Sequence, residues 1–183
     1  MRYPSISPSF KFRTEAFFTT VEGGRMLPGC VDHPAAPERS SYGLTKPGVP
    51  MILTEIDHVA IAVRDLPAAI EYYQRAFGAE VHHRETVERD GVEEALLKVA
   101  ESYIQLTAPT RADSPVAKFL EKRGEGIHHV GYRVDDCAKA LAAVVAAGGQ
   151  AIDAAPRPGS RGTTVAFVHP KASFGTLIEL VQE

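Results

Sequence analysis

Ile56-Asp57-His58-Val59-Ala60-Ile61-Ala62-Val63 returns later in the chain as Ile127-His128-His129-Val130-Gly131-Tyr132-Arg133-Val134. A second segment, Ile104-Gln105-Leu106, returns as Ile178-Glu179-Leu180. His58 is therefore equivalent to His129, and Gln105 is equivalent to Glu179. The repeat indicates a duplicated module, and a site at the junction of the two copies would receive two of these polar side chains from each copy.

The composition is that of an ordinary globular protein that is not built to bind nucleic acid. Of 183 residues, 44% are hydrophobic and 23% are charged, and the formal net charge is −3, whereas binding to phosphate backbones requires a strongly basic surface. The two cysteines do not make a disulfide framework. No apolar run reaches the roughly 18 to 20 residues that span a bilayer, and the N-terminus lacks an apolar signal core. We therefore expect a cytoplasmic protein without nucleic-acid or membrane partners.

Residues 1–50 differ from the rest of the chain. They contain seven prolines and five glycines, which interrupt any helical or strand period before a core face develops. We expect a leader that is disordered or not native, since Met51 stands directly before the first predicted strand. The folded domain is predicted to be residues 51–183.

The first module, residues 55–108, follows a strand-helix-strand-strand-strand plan, βαβββ. Residues 56–63 alternate as a strand, and Asp65 is positioned to cap a helix that ends at Phe77 before Gly78. Three further strands are predicted near residues 80–88, 93–99 and 102–107. A short helix over residues 114–122 connects this module to the second.

The second module, residues 126–183, repeats the plan. A strand at residues 127–134 leads to a helix that Asp135 or Asp136 caps and that Gly148-Gly149 ends. The remaining strands are predicted near residues 150–153, 163–168 and 176–181.

Strand alternation predicts where the four repeated polar residues point. In residues 56–63, Val59, Ile61 and Val63 share one face, which should pack against a helix, and His58 lies on the other. The same rule separates Gln105, His129 and Glu179 from the apolar faces of their strands. All four side chains could therefore line the concave side of a curved sheet, within reach of one ion.

Each of these residues also has an ordinary alternative role. A strand histidine is most often a core or surface residue, and a Gln or Glu between apolar neighbours most often faces solvent. His128 competes with His129, but the repeat aligns His129 with His58 and His128 with Asp57. The equivalence of both polar pairs across the two copies favours a shared metal site.

The sequence over residues 52–183 resembles the vicinal oxygen chelate superfamily, which includes glyoxalases, bleomycin resistance proteins and dioxygenases, and within it the methylmalonyl-CoA epimerase family. The residues that carry the resemblance are 56–60, 127–130, 168–171 and 177–180. The resemblance implies an α+β fold, in which two tandem βαβββ modules form one curved mixed sheet with helices on its outer face.

The resemblance also implies a metal site of His58, Gln105, His129 and Glu179. The expected ion is divalent, with Co²⁺ favoured and Mn²⁺, Ni²⁺, Zn²⁺ or Mg²⁺ as alternatives. A homodimer and an acyl-CoA substrate are implied as well. The implied activity is the interconversion of (2R)- and (2S)-methylmalonyl-CoA.

Two imidazoles, an amide oxygen and a carboxylate suit this activity chemically. In octahedral coordination they leave two adjacent positions for the thioester and carboxylate oxygens of a malonyl thioester, which would stabilise the enolate formed when C2 loses its proton. Inversion at C2 needs an acid and a base on opposite faces of that intermediate. We expect Glu179 and Glu94 in these catalytic roles, although a register shift of one residue would exchange Glu94 for Glu93.

Three other classes of protein share the scaffold. A glyoxalase I-like metal-dependent lyase usually has an acid where this chain has Gln105. An extradiol dioxygenase needs three open positions on its iron, one of which a fourth protein ligand would occupy. A non-catalytic ligand-binding or resistance module often lacks the metal ligands. His169 and Lys171 stay open as either family markers in a turn or ordinary surface residues.

Overall fold

One sheet of eight strands runs through residues 51–183, which are the residues that this computed structural model describes. The predicted leader, residues 1–50, lies outside the described residues. No helix in the described range is long and apolar enough to cross a membrane. In chain order the elements are β1 (Glu55–Ala62), α1 (Leu66–Phe77), β2 (Val81–Val87), β3 (Val92–Val99), β4 (Ser102–Pro109), α2 (Pro115–Arg123), β5 (Gly126–Arg133), α3 (Cys137–Ala146), β6 (Arg157–Pro158), β7 (Thr164–Val168) and β8 (Ile178–Gln182), with 3-10 turns at Ser160–Gly162 and Pro170–Ala172.

The sheet consists of two equivalent halves that meet at its centre. Its strand order is β2-β3-β4-β1-β5-β8-β7-β6. β1 and β5 pair antiparallel at the junction, and each runs parallel to the last strand of its own half, β4 or β8. The pairs further out are antiparallel, so the sheet is mixed. The predicted α+β fold of two tandem modules in one curved mixed sheet is confirmed.

Local capping groups set the bounds of α1 and α3. The carboxylates of Asp65 and Asp136 each accept a hydrogen bond of 2.9 Å from the backbone N–H three residues further on, which satisfies a donor that the first turn leaves free. Of the two predicted caps of α3, Asp135 and Asp136, the structure selects Asp136. Gly78 ends α1 with φ 65°, a left-handed conformation that glycine adopts without steric cost.

Each half has its own apolar core between the outer face of the sheet and one helix. Helix α1 covers a cluster that includes Leu66, Ile70 and Leu106, and α3 covers a cluster that includes Leu141 and Leu180. Leu106 and Leu180, which are equivalent in the repeat, are 0% and 1% exposed. Strand alternation therefore identified the helix-packed face of both halves correctly.

Helix α2 differs from the other two because it lies at one end of the concave face. Its Val116 and Leu120 pack on Ala62 and Val92, which follow the concave parity of their strands. Val116 and Val92 also line the cavity that the concave face encloses. The connecting helix therefore closes one end of the cup that the curved sheet forms.

The strand predicted near residues 150–153 is reduced to a short pairing with β7, in which Ile152 donates to Phe167 (2.8 Å) and His169 donates to Gln150 (2.7 Å) through their backbones. Ala151 makes a single bridge to β7, and the carboxylate of Asp153 then accepts hydrogen bonds from the backbone N–H of Phe167 (2.9 Å) and from Arg157 (3.0 Å). A side chain that satisfies a backbone group of the neighbouring strand competes with ladder formation. The outermost position of the second half is filled instead by the two-residue strand β6.

Two arginines of the second half join the ends of the sheet. Arg157 in β6 binds Asp90, in the turn after β2, at 3.1 Å. The backbone N–H of Arg161 donates to a carboxylate oxygen of Glu85 in β2 (2.8 Å). Because β2 and β6 are the outermost strands of the order, these contacts close the curved sheet around its concave face.

We expect Leu106→Ala and Leu180→Ala each to lower the free energy of unfolding by about 2 to 5 kcal/mol, because each leaves a cavity in a closed core. Chemical denaturation measures the change. The control is Val145→Ala on α3, where the side chain is half exposed and the change should stay within about 0.5 kcal/mol. A leucine variant as stable as this control would contradict the assignment of two equivalent cores.

Candidate metal centre and active site

Three buried side chains converge on one point between the halves. Nε2 of His58 lies 3.0 Å from Nε2 of His129 and 3.0 Å from Oε2 of Glu179. The distance from Nε2 of His129 to Oε2 of Glu179 is 2.9 Å. Two adjacent ligands of an octahedral ion, each about 2.1 Å from it, lie about 3 Å apart. The three atoms therefore have the spacing of one face of a metal coordination sphere.

Strand pairing at the centre of the sheet brings these side chains together. Gly131 of β5 lies opposite His58 of β1 on one side and opposite Glu179 of β8 on the other. Ala60 of β1, its equivalent in the repeat, lies between His129 of β5 and Gln105 of β4. A small residue in each half thus separates one histidine from one amide or acid, and the histidine rings meet edge to face with centroids 5.1 Å apart.

The β1–β5 pairing contains a bulge at the equivalent residue of each half. The register shifts at Asp57 on β1 and at His128 on β5. A bulge re-aims a side chain, and Asp57 is consequently buried together with His58 instead of on the opposite face. Oδ1 of Asp57 lies 2.7 Å from Nδ1 of His58, and Nδ1 of His128 lies 2.8 Å from Nδ1 of His129. The residue before each central histidine therefore holds its ring.

The surroundings of His58 favour positive charge. Besides His58, Asp57 binds Arg133 (3.0 Å) and Arg161 (2.7 Å). Burial opposes the charged form of Asp57, but the hydrogen bond with His58 and the charge of Arg161 hold the pKa of Asp57 below its usual range. Burial also opposes a charged His58, yet hydrogen bonds with Asp57 and Glu179 raise its pKa to about 9. A site that stabilises a cation in this way is suited to a metal ion.

Gln105 lies on the same cavity wall as Glu179 and binds Glu94. Its amide Nε2 donates to Oε2 of Glu94 at 2.8 Å. Its carbonyl Oε1 is buried and has no hydrogen-bond partner among the described residues. Because buried polar atoms are almost always bonded, this orphaned oxygen fits a residue whose partner is a bound ligand. Two imidazoles, a carboxylate and a carboxamide oxygen together are a donor set for a divalent first-row transition ion.

The structure distinguishes Glu94 from its neighbour Glu93. Glu94 is 5% exposed and lines the concave cavity. Glu93 is half-buried on the opposite side of β3 and pairs with Arg84 at 2.8 Å. Of these two acids, Glu94 is therefore the one that reaches the site, as expected from the sequence.

Glu94 and Glu179 have opposite shifts in pKa. Burial raises the pKa of Glu94, and the charge of Glu179 adds to the rise, although the hydroxyl of Ser160 and the amide of Gln105 act in the opposite direction. Burial would raise the pKa of Glu179 too, but hydrogen bonds with the two central histidines hold it well below the usual range of a carboxyl. Two carboxyl groups whose pKa values are separated in this way can serve as acid and base in one site.

A cavity of about 170 Å³ adjoins the cluster. Glu94, Gln105, His129 and Glu179 all reach its wall, and Ser160 reaches it from the 3-10 turn between β6 and β7. The rest of the wall is largely apolar and includes Val87, Val92, Val116, Val165, Phe167 and Leu177.

Reasoning from the sequence missed two residues of the site, Gly131 and Ser160. A glycine inside a strand signals close approach of another group, and a Cβ at Gly131 would collide with the ring of His58. Ser160 has no comparable signal, because its segment lacks periodicity and follows a strand that is shorter than predicted. His169 and Lys171 do not line the cavity. Nδ1 of His169 accepts a hydrogen bond from the backbone N–H of Lys171 (3.1 Å), which favours the turn interpretation.

Comparison with known proteins identifies the family. The model of the Glyoxalase/Bleomycin resistance protein/Dioxygenase superfamily matches residues 57–167. The chain belongs to this superfamily. The resemblance expected from the sequence is therefore confirmed, and it extends to epimerases within the superfamily.

Three relatives illustrate the likeness to epimerases. An ethylmalonyl-CoA/methylmalonyl-CoA epimerase of Cereibacter sphaeroides is 38% identical over 133 residues, which cover 72% of this chain and 99% of that protein. A variant of Streptomyces coelicolor methylmalonyl-CoA epimerase, solved in complex with 2-nitronate-propionyl-CoA, is 42% identical with a TM-score of 0.70 and covers 72% of this chain and 98% of its own. A methylmalonyl-CoA epimerase in complex with methylmalonyl-CoA and NH4+ is 43% identical with a TM-score of 0.70, covering 72% and 95%.

We expect chelator-treated protein to bind one Co²⁺ ion per chain. Loss of a residue that only hydrogen-bonds to a metal ligand usually weakens metal binding by roughly 10- to 100-fold. His129→Ala removes a ligand itself and should weaken Co²⁺ binding by more than that. Calorimetric titration with Co²⁺ and the d–d absorption of the bound ion measure this. Asp57→Asn, which changes the hydrogen-bond partner of His58, should weaken Co²⁺ binding by roughly 10- to 100-fold. His82→Ala removes an exposed histidine and is the control. Equal affinity of His129→Ala and this control would exclude a metal site at the cluster.

We expect Gly131→Ala to displace the imidazole of His58, because the added methyl group and the ring cannot occupy the same space. In a variant that circular dichroism shows to be folded, Co²⁺ affinity should fall at least about tenfold. Unchanged affinity in the folded variant would mean that His58 does not need the space that Gly131 leaves.

Proposed function

We propose that this protein is a methylmalonyl-CoA epimerase, which interconverts (2R)- and (2S)-methylmalonyl-CoA. The observation that carries the proposal is the buried pair of Glu94 and Gln105 beside the cluster of His58, His129 and Glu179. This arrangement combines a carboxyl group suited to proton transfer with donors suited to a divalent cation. The names and bound acyl-CoA molecules of the relatives support the same conclusion.

His58, Gln105, His129 and Glu179 are the residues that would hold the ion, for which we favour Co²⁺. When bound, the ion would supply a Lewis acid that stabilises negative charge on the thioester and carboxylate oxygens of the substrate. The protein's part is to fix the donors. Asp57 and His128 orient the two imidazoles through Nδ1, so that Nε2 of each ring faces the shared point.

Glu94 and Glu179 would move the proton at C2 of the substrate. Oε2 of Glu179 makes both contacts with the histidines, which leaves Oε1 for the proton. Oε2 of Glu94 accepts from Gln105, while its Oε1 is buried without a hydrogen-bond partner among the described residues. Burial favours a protonated Glu94 and the histidines favour an ionised Glu179. One group can therefore deliver a proton where the other removes one, as inversion of a planar intermediate requires.

The size and lining of the cavity agree with this reaction. A volume of about 170 Å³ accommodates the short acyl head of a thioester but not a whole coenzyme, so the coenzyme would extend outside it. Val92, Val165 and Phe167 line the wall and would exclude bulk water, which strengthens electrostatic interactions with the reacting oxygens.

Gln105 is the feature that disfavours a glyoxalase I-like lyase. An ionised acid at this position has no N–H to donate to Glu94, as Gln105 does at 2.8 Å, and its negative charge would oppose ionisation of Glu94. A resistance module that only binds a ligand would not require four metal-binding side chains and a buried Glu94 in the same site. The Co²⁺ ion, the homodimer and the cytoplasmic location expected from the sequence stay predictions.

We expect Co²⁺-loaded protein to exchange the C2 hydrogen of (2S)-methylmalonyl-CoA in deuterated water, with loss of optical purity. Mass spectrometry and chiral analysis measure the two events. Glu94→Gln should keep its Co²⁺ affinity and lose interconversion by about 10²- to 10⁴-fold, the usual contribution of a proton-transfer group.

The matched control is Glu93→Gln, which changes the adjacent carboxyl on the other side of the same strand. It should retain most of the activity. If the wild-type protein leaves C2 unexchanged and instead converts the hemithioacetal of methylglyoxal and glutathione, the epimerase proposal fails and the lyase alternative replaces it.

A further inference from the structure

A short loop of the second half contributes to the cavity wall. This latch loop, residues 159–163, runs from β6 through the 3-10 turn to β7. Gly159 and Ser160 reach the cavity, whose wall also contains Glu94 of the first half. The position of the loop therefore determines how Ser160 is presented next to the group proposed to transfer the proton.

Arg161 in this loop makes four contacts, and its two hydrogen bonds and its ring contact are to the first half of the sheet. The fourth is an ion pair between its Nη1 and Oε1 of Glu183 in the second half, at 3.6 Å. Its Nη2 lies 2.7 Å from Oδ1 of Asp57 in β1. Its backbone N–H donates to Glu85 in β2 at 2.8 Å. Its guanidinium lies over the ring of Tyr103 in β4, 4.8 Å from the centroid. One residue thus ties the loop to three strands of the opposite half.

The backbone of Arg161 indicates that these contacts are strong enough to impose a conformation. Its φ is 56° and its ψ is 19°, which is the left-handed region that residues with a Cβ rarely adopt. Such strain persists where the surrounding structure over-determines it. The side-chain contacts with Asp57 and Tyr103 and the backbone bond to Glu85 provide that determination.

Asp57 itself does not depend on Arg161 alone. Arg133 of β5 binds the other carboxylate oxygen of Asp57 at 3.0 Å, and His58 binds Asp57 at 2.7 Å. Arg133 is in a strand of the sheet and does not belong to the latch loop. The two arginines therefore give Asp57 similar charge, and both also bind Glu183. They differ because only Arg161 belongs to the loop that carries Ser160.

We propose that Arg161 is a positioning residue, which latches the 159–163 loop onto the first half and so holds Ser160 on the cavity wall beside Glu94. This role rests on the proposed epimerase function for its catalytic consequence. Arg161 touches neither the substrate cavity nor the central histidines directly. Its effect on the reaction passes through the loop rather than through the charge on Asp57.

The test compares Arg161→Asn with Arg133→Gln. Asparagine tolerates the left-handed backbone, so the first variant removes the guanidinium without adding strain. The second variant removes the same charge from Asp57 at a residue outside the loop. Both variants lose an ion pair with Glu183, so this shared contact does not distinguish them. In Co²⁺-loaded protein, Arg161→Asn should lower kcat for C2 exchange by about 10- to 100-fold, the usual effect of misplacing an active-site group. This loss of kcat should be at least about threefold greater than the loss caused by Arg133→Gln.

Backbone amide exchange supplies a readout that does not depend on catalysis. Hydrogen–deuterium exchange of residues 159–163 should speed up in Arg161→Asn and stay at the wild-type rate in Arg133→Gln. Arg161→Gly serves if the asparagine variant does not fold, since glycine accepts the same backbone conformation. Arg75→Asn, on the exposed surface of α1, is the neutral control.

A double-substitution cycle identifies the route. In a Ser160→Ala background, Arg161→Asn should cost less than about threefold in kcat, because the group that it positions is already gone. Equal losses of kcat and of Co²⁺ affinity in Arg161→Asn and Arg133→Gln, with unchanged amide exchange in the loop, would overturn the proposal in favour of a purely electrostatic role through Asp57. If wild-type protein fails to exchange C2, the epimerase function is wrong, while amide exchange still decides whether Arg161 holds the loop.

Discussion

Nε2 of His58, Nε2 of His129 and Oε2 of Glu179 approach one another to between 2.9 and 3.0 Å in a buried site. The chemistry of the site depends on this contact. Three lone pairs facing one point repel each other unless a positive charge is shared among them. Antiparallel pairing of β1 and β5 at the centre of the sheet, with β8 parallel beside β5, is what forces them together. The small residues Ala60 and Gly131 make the approach sterically possible.

The two halves have the same scaffold but differ in chemistry at equivalent positions. The bulge residue is Asp57 in one half and His128 in the other. Nδ1 of His58 therefore contacts a carboxylate, whereas Nδ1 of His129 contacts the imidazole of His128. That imidazole is neutral because burial lowers the pKa of His128 to about 4. The last strand supplies an amide in the first half and an acid in the second. A symmetric sheet therefore supports an asymmetric site, which is what a reaction with distinct acid and base roles requires.

Features that follow from strand alternation and from the internal repeat were predicted correctly from the sequence. Features that depend on the hydrogen bonds of single side chains were not. Alternation alone gave the faces of β1, β4, β5 and β8, because burial on one side of a strand fixes its parity. Alternation does not indicate that Asp57 turns toward His58, because a bulge cannot be read from alternation. The strand predicted at residues 150–153 stops short because the carboxylate of Asp153 binds the backbone N–H of Phe167. Ser160 and Arg161 belong to an aperiodic loop whose position depends on contacts with the other half.

The choice of an amide at position 105 links the cation site to the proton-transfer site. A carboxamide is the side chain that can offer an uncharged oxygen on one side and an N–H donor on the other. Here the donor is used on Oε2 of Glu94 at 2.8 Å, and the oxygen is left without a protein partner. An acid in its place would add negative charge beside Glu94 and Glu179 and would raise the cost of ionising either group. Gln105 therefore binds Glu94 beside the cluster without charging the space between them. Burial can then raise the pKa of Glu94 while the central histidines lower the pKa of Glu179.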